Sequence, residues 1–95
     1  MMVGGIGVLE QATPEVQEII DGLKPKIEEK IGKSVDKLTL ISFKTQVVAG
    51  RNYFAKVKAG DNDHIHVRIY HDLSNAKTLT SVQTEKSHED EIEYF

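Results

Sequence analysis

His64 and His66 stand two residues apart in a segment of alternating polar and apolar residues, so both side chains would lie on one face of a strand. Neutral imidazole nitrogens bind zinc, and such a pair could supply two ligands. A complete site needs three or four ligands, however, and His71 and His88 fall elsewhere in the pattern. We therefore predict a solvated strand face, with no metal and no other cofactor.

Other residues that could do chemistry also lack the required context. Ser42, His71 and Asp72 are the residue types of a catalytic triad, but nothing in the sequence brings them together. Gly5–Gly7 resembles part of a phosphate-binding loop, yet no strand pattern precedes it and no helix pattern follows directly. The chain has no cysteine, which excludes a thiol nucleophile. We predict no catalytic residue and no enzymatic activity.

Composition indicates one small globular domain over residues 1–95, with 39% hydrophobic and 28% charged residues. The net charge of −3 argues against a nucleic-acid partner, because phosphate binding needs a basic surface. No apolar run is long enough to span a membrane, and residues 1–10 lack the features of a secretory signal. Small secreted domains usually carry disulfides, so the absence of cysteine favours a cytoplasmic location.

Gln46–Gly50 is an uncharged segment placed where a hairpin should turn. Turns normally carry Gly, Pro, Asn, Asp or Ser, whereas Val47 and Val48 are stiff β-branched residues. One interpretation is an exposed apolar tip that a partner covers. The other is that the two valines end a long strand and pack inward, with Ala49–Asn52 as the turn. The residue pattern alone leaves both open.

A helix over residues 14–31 and several strands must position this segment. Thr13 can cap the helix, Pro14 suits its first position and Gly32 suits its end. Pro25 lies within the pattern and predicts a kink. The apolar side chains share one stripe, formed by Val16, Ile19, Ile20, Leu23, Ile27 and Ile31.

After Gly32 the apolar pattern changes to a period of two, which is typical of strands. A change of phase at Leu40–Ile41 predicts a bulge. Each strand has one apolar face, so we predict an antiparallel sheet with its other face in water. The fold class is α+β: a single kinked α-helix cradled by a four- to five-stranded antiparallel sheet. The predicted strands are 37–45, 53–59, 64–70 and 79–84.

Five sequence segments, in this order, resemble the cystatin superfamily of cysteine-protease inhibitors, and specifically its intracellular stefin branch. The absence of cysteine, tryptophan and a signal peptide is also similar to that branch. The segments that carry the resemblance are Gly4-Gly5, Ala12–Gln17, Lys44–Gly50 with Asn52-Tyr53, Ala59–Asn62 and Tyr94-Phe95.

The resemblance implies a wedge that blocks the active-site cleft of papain-like cysteine proteases such as cathepsins, and it favours the exposed-tip interpretation. Its parts would be a flexible N-terminal trunk (residues 1–7), a first loop (Gln46–Gly50) and a second loop (Leu73–Lys77). The alternative is a non-inhibitory binding or self-associating scaffold on the same fold. The implied protease-binding residues are Gly4, Gly5, Gln46, Val47, Val48, Ala49, Gly50, Leu73 and Ser74.

The second loop departs from the family, in which a Leu-Pro pair is common. Here Leu73 is followed by Ser74, so we expect a less firmly held loop. The resemblance also implies a protein that is mainly monomeric. A strained tip at Val47-Val48 would allow two chains to exchange the helix and first strands, giving a domain-swapped dimer.

Overall fold

Helix α1 (Pro14–Ile31) begins and ends where the sequence predicts in this computed structural model, which describes residues 6–60 and 63–95. The Thr13 hydroxyl accepts a hydrogen bond from the Val16 amide at 3.3 Å. Gly32 takes the left-handed conformation, with φ of 77°, and its amide donates to the Glu28 main-chain oxygen. Pro25 lies within one continuous helix.

Five antiparallel strands form one sheet in the order β1-β2-β3-β4-β5 among the described residues. The predicted α+β class and the upper strand count are confirmed. The bulge is confirmed as well, because Leu40 pairs with Val57 and Ser42 with Lys56, leaving Ile41 as the extra residue. Strand β1 was not predicted, since two residues are too few to show a period. The strand bounds are β1 Glu10–Gln11, β2 Thr39–Val48, β3 Gly50–Lys58, β4 His64–His71 and β5 Lys77–Lys86.

The inner face of the sheet packs against the apolar stripe of α1, as the sequence predicts. Ile20 and Ile27 of the helix have no exposed surface, and neither have Val57 and Val67 of the sheet. Burial of such side chains is the main favourable contribution to folding. Within residues 6–60 and 63–95, the helix lacks the combination of length and apolar character that crossing a membrane requires.

The outer face of the sheet is covered by residues 87–95, which we call the C-terminal segment. The prediction that this face lies in water is therefore wrong over its centre. Phe54 projects from the outer face, is fully buried, and has the Tyr94 and Phe95 rings at centroid distances of 5.5 and 5.8 Å. Ile92 is also buried. The segment has no strand period of its own, which is why the pattern of residues did not reveal it.

Three cationic side chains of the outer face bind this segment through its main chain. Arg68 also lies over the rings of Phe54 and Tyr94, at 5.4 and 5.0 Å from their centroids. The aliphatic parts of these long side chains cover apolar surface, while their charged ends donate hydrogen bonds to main-chain oxygens. Lys44, Lys56 and Arg68 donate hydrogen bonds to the main-chain oxygens of Ile92, His88 and Phe95, respectively.

His66 lies beneath the C-terminal segment with only 1% of its surface exposed, so the predicted solvated face is wrong at this residue. Burial, with added repulsion from Lys86 and Lys56, lowers the pKa of His66 to about 4. His64 faces the His88 ring at 5.6 Å instead. Among the described residues no three metal-binding side chains converge on one point.

We expect the buried His66 to make the free energy of unfolding depend on pH. An unfolded histidine has a pKa near 6.5, so between pH 6.5 and about 4 the unfolded state binds a proton that the folded state does not. The contribution of His66 to the free energy of unfolding is therefore largest above pH 6.5. It falls by about 3 kcal/mol in total as the pH drops to about 4. Urea unfolding at several pH values measures the slope.

The His66→Gln variant removes the titrating group, and its unfolding free energy should change less with pH in this window. His88→Gln provides the control, because it also removes one histidine, an exposed one, but leaves the buried His66 in place. Because carboxylates titrate in all three proteins, only the difference between pH profiles is informative. Parallel profiles for wild type and His66→Gln would contradict the expectation.

Candidate functional site

The β2–β3 turn and the β4–β5 turn lie side by side at one end of the sheet. Strand β3 starts at Gly50 and β4 ends at His71, and the antiparallel register pairs Arg51 with His71. Both turns therefore project from the same end of the sheet. We call this end, formed by residues 47–50 and 72–76, the turn edge. Residues 72–76 form the second turn, because Lys77 already belongs to β5.

The β2–β3 turn, which we call the first turn, is much tighter than the predicted five-residue loop Gln46–Gly50. Val47 pairs with Arg51 and Val48 with Gly50, so that Ala49 alone separates the strands. The interpretation that the valines end a long strand is thus correct for the backbone, and extended conformation is what β-branched residues prefer. Inward packing is wrong for Val47, whose side chain is 76% exposed.

Gly50 takes the unusual backbone conformation that closes this turn, with φ of 108°. A Cβ atom at this position would lie 2.5 Å from the His71 main-chain oxygen, so only glycine allows the two turns to approach so closely. The Tyr70 hydroxyl donates a hydrogen bond to the Ala49 main-chain oxygen. Neither Val47 nor Val48 has a positive φ, and Tyr70 joins the end of β4 to the first turn.

Gln46 lies at the base of the first turn and is only 7% exposed. Its side-chain oxygen accepts a hydrogen bond from Asn52 Nδ2 at 3.0 Å, across the pair that the register places opposite each other. A buried amide pair of this kind is stable only when its polar atoms are satisfied. Gln46 therefore supports the turn from within the sheet.

Asp72 organises the second turn. Its Oδ1 atom accepts hydrogen bonds from the Ser74 amide and hydroxyl, both at 2.9 Å, and from the Ala76 amide at 3.0 Å. These bonds, first that from Ala76 and then those from Ser74, lower the pKa of the Asp72 carboxyl. The second turn thus has side-chain hydrogen bonds where the family commonly has a proline, and Leu73 within it is 84% exposed.

The N-terminal segment passes beside the first turn. The Gly7 amide donates a hydrogen bond to the Thr45 main-chain oxygen at 2.7 Å. Val8 and Leu9 follow and are largely exposed, and sequence reasoning missed them although an apolar pair directly after glycines was visible. Gly4 and Gly5 lie outside the described residues.

The structure does not assemble a triad from Ser42, His71 and Asp72. Ser42 is opposite Lys56, which is opposite His66, five residues before His71 along β4. At about 3.3 Å per residue this separates Ser42 from His71 by roughly 16 Å along the strands, and the two strand spacings of about 4.8 Å between β2 and β4 increase the distance further. The exposed groups of the turn edge are mainly apolar, so this edge can bury surface in a partner but has no arrangement for bond cleavage.

We expect Gly50→Ala to lower the free energy of unfolding by ~1–3 kcal/mol, because the new methyl group meets the His71 oxygen in a conformation that alanine avoids. Gly22→Ala is the matched control: its Cβ meets nothing within 4 Å, and removing a helical glycine should stabilise by ~0.5–1 kcal/mol. Chemical unfolding of both variants decides. If Gly50→Ala and Gly22→Ala had the same free energy of unfolding, the backbones at Gly50 and His71 would not be in close contact.

Comparison with known proteins agrees with this architecture. Residues 4–90 match the family model described as "Cystatin domain". The chain is 43% identical to Cystatin-A of Homo sapiens, with the whole of both chains covered. It is 46% identical to Cystatin-A2 of Dictyostelium discoideum, over 98% of this chain and 97% of that protein. It is 39% identical to Leukocyte cysteine proteinase inhibitor 1 of Sus scrofa, over 100% of this chain and 95% of that protein. The chain therefore belongs to the cystatin family.

Proposed function

We propose that this protein is a reversible, tight-binding inhibitor of papain-like cysteine proteases, including cathepsins, and not an enzyme. The observation that carries the proposal is the turn edge, where Val47 and Leu73 are exposed on two adjacent turns whose backbones meet at Gly50 and His71. The name of the pig relative, a cysteine proteinase inhibitor, supports the same conclusion. Sequence identity of 39–43% over the whole chain to these relatives disfavours the alternative of a non-inhibitory scaffold.

Inhibition of this kind requires the burial of apolar surface in a narrow cleft. Complete burial of a valine or leucine side chain contributes about 1.5–3 kcal/mol. Less of that gain is lost when the binding segments are ordered before the encounter. In this protein Gly50 closes the first turn and Asp72 the second, so both apolar side chains are displayed on ordered backbone.

The proposed contact surface combines three segments. Gln46 contributes through the backbone, because its side chain is bonded to Asn52. The N-terminal trunk (residues 1–7) contributes glycines whose small size suits a crowded protease surface. Val8 and Leu9 extend it. The proposed protease-binding residues are Gly4, Gly5, Gln46, Val47, Val48, Ala49, Gly50, Leu73 and Ser74.

We place the protein in the cytoplasm, in keeping with its lack of cysteine. We propose neither nucleic acid nor membrane as a partner, because the net charge is −3 and the apolar groups of the turn edge are few and localised. Residues 1–95 would then act as one inhibitory domain.

Titration of papain with the purified protein tests the proposal, and we expect stoichiometric loss of protease activity. Val47→Asp and Val48→Asp should each raise the inhibition constant at least about tenfold, because apolar burial is replaced by a carboxylate that loses its water without a partner. The thermal midpoint of Val47→Asp should be unchanged, since this side chain is in solvent.

Thr84→Asp is the matched control, because Thr84 is a β-branched, exposed strand residue away from the turn edge. It should inhibit like the wild type. A form that starts at residue 6 tests Gly4 and Gly5, and it should dissociate from papain faster than the full chain. Unchanged papain activity in excess wild-type protein would overturn the proposed function.

We further propose a mainly monomeric protein that can form a domain-swapped dimer. Ala49 alone separates β2 from β3, so an extended backbone conformation at Ala49 would join them into one continuous strand. Two chains could then exchange α1 and β2. Heating below the thermal midpoint, followed by size separation, should yield a dimer that does not inhibit papain, because the first turn is lost. A dimer as potent as the monomer would contradict this mechanism.

A further inference from the structure

We propose that Asp72 is a positioning residue that fixes Leu73 in the orientation in which the protease receives it. This inference rests on the proposed inhibitory function and adds to it a residue that itself need not touch the protease. The second turn has no proline, and the Asp72 carboxylate orders its backbone instead.

The hydrogen bonds of Asp72 enclose the whole second turn. Three donors, namely the Ser74 amide, the Ser74 hydroxyl and the Ala76 amide, converge on the single atom Oδ1. The main chain adds two bonds, because the Asp72 amide donates to the Ala76 oxygen and the Asn75 amide donates to the Asp72 oxygen. Residues on both sides of Leu73 are therefore fixed by one side chain.

Leu73 itself gains nothing from this arrangement in the free protein. Its side chain is 84% exposed, so it adds no packing to the core. Ordering the backbone of a residue costs about 1–2 kcal/mol, and here five hydrogen bonds of the turn offset that cost before a partner arrives. An exposed apolar side chain on an ordered turn is the arrangement expected of a group that is buried only in a complex.

The base of the turn is also fixed relative to the first turn. His71 precedes Asp72, pairs with Arg51 and stacks on Tyr53 at a centroid distance of 6.3 Å. Its Nε2 atom lies 2.6 Å from Asn75 Oδ1, which ties the far side of the turn to β4. Asn75 has a φ of 73°, a left-handed conformation that asparagine tolerates better than most residues. Leu73 is thus held relative to Val47, not merely within its own turn.

The chemistry of Asp72 suggests the variants that separate positioning from contact. All three side-chain bonds go to Oδ1, and asparagine keeps an oxygen at this place with nearly the same shape. Asp72→Asn should therefore preserve the turn, whereas Asp72→Ala removes the acceptor. Because the carboxylate is not needed as a charge, loss in the alanine variant and retention in the asparagine variant indicate positioning.

We expect Asp72→Ala to dissociate from papain about three- to tenfold faster than the wild type, with little change in association rate. Asp72→Asn should stay within about twofold of the wild type. Leu73→Ala should weaken inhibition at least as much as Asp72→Ala, and the double variant should be no weaker than Leu73→Ala alone, because Asp72 acts through Leu73. Additive losses would show that Asp72 has a separate role and would overturn the proposal.

The free protein supplies a readout that does not depend on inhibition. Backbone ¹⁵N relaxation should show rigid amides at Leu73 and Ser74 in the wild type and in Asp72→Asn, and increased motion on the picosecond-to-nanosecond timescale in Asp72→Ala. If the wild type fails to inhibit papain while this difference is seen, the proposed function is wrong and the ordering of the turn is right. If papain is inhibited but the Leu73 amide is equally rigid in all three proteins, the positioning proposal is wrong.

Discussion

The antiparallel register between β3 and β4 is the constraint on which the turn edge depends. It places Gly50, at the start of one strand, against His71, at the end of the other, so that two turns far apart in sequence become neighbours. A shift by one residue would exchange the two faces of the strand and turn Tyr53, Ala55 and Val57 away from the helix. Burial of Tyr53, Ala55 and Val57 against the helix fixes that register, and with it the geometry of the turn edge.

A few specific hydrogen bonds and one close approach hold the turn edge together. Tyr70 binds the first turn, Asp72 closes the second, and Gly50 lets their backbones meet. None of these residues is part of the hydrophobic core. They hold the two turns that carry Val47 and Leu73 next to each other, and segments ordered before an encounter lose less free energy on binding.

The outer face of the sheet shows a different balance of forces. Burial of Phe54 and Ile92 under the C-terminal segment is favourable, but it also removes His66 from water. The cations of this face keep their ends paired with main-chain oxygens, whereas His66 remains neutral because burial lowers its pKa. The segment thus gives the small domain a second layer of packing at the cost of sensitivity to acid.

The sequence alone determined the helix, its caps and its apolar stripe, the bulge at Ile41, and the family, because these features depend on neighbouring residues and on periods that can be counted. Only the tertiary structure decided the length of β2, the cover over Phe54 and the hydrogen bonds of Asp72. Val47 and Val48 show the reason: their type favours a strand, but whether a strand residue faces solvent depends on what lies opposite it in space. Such contacts join residues far apart in the chain, and no local pattern records them.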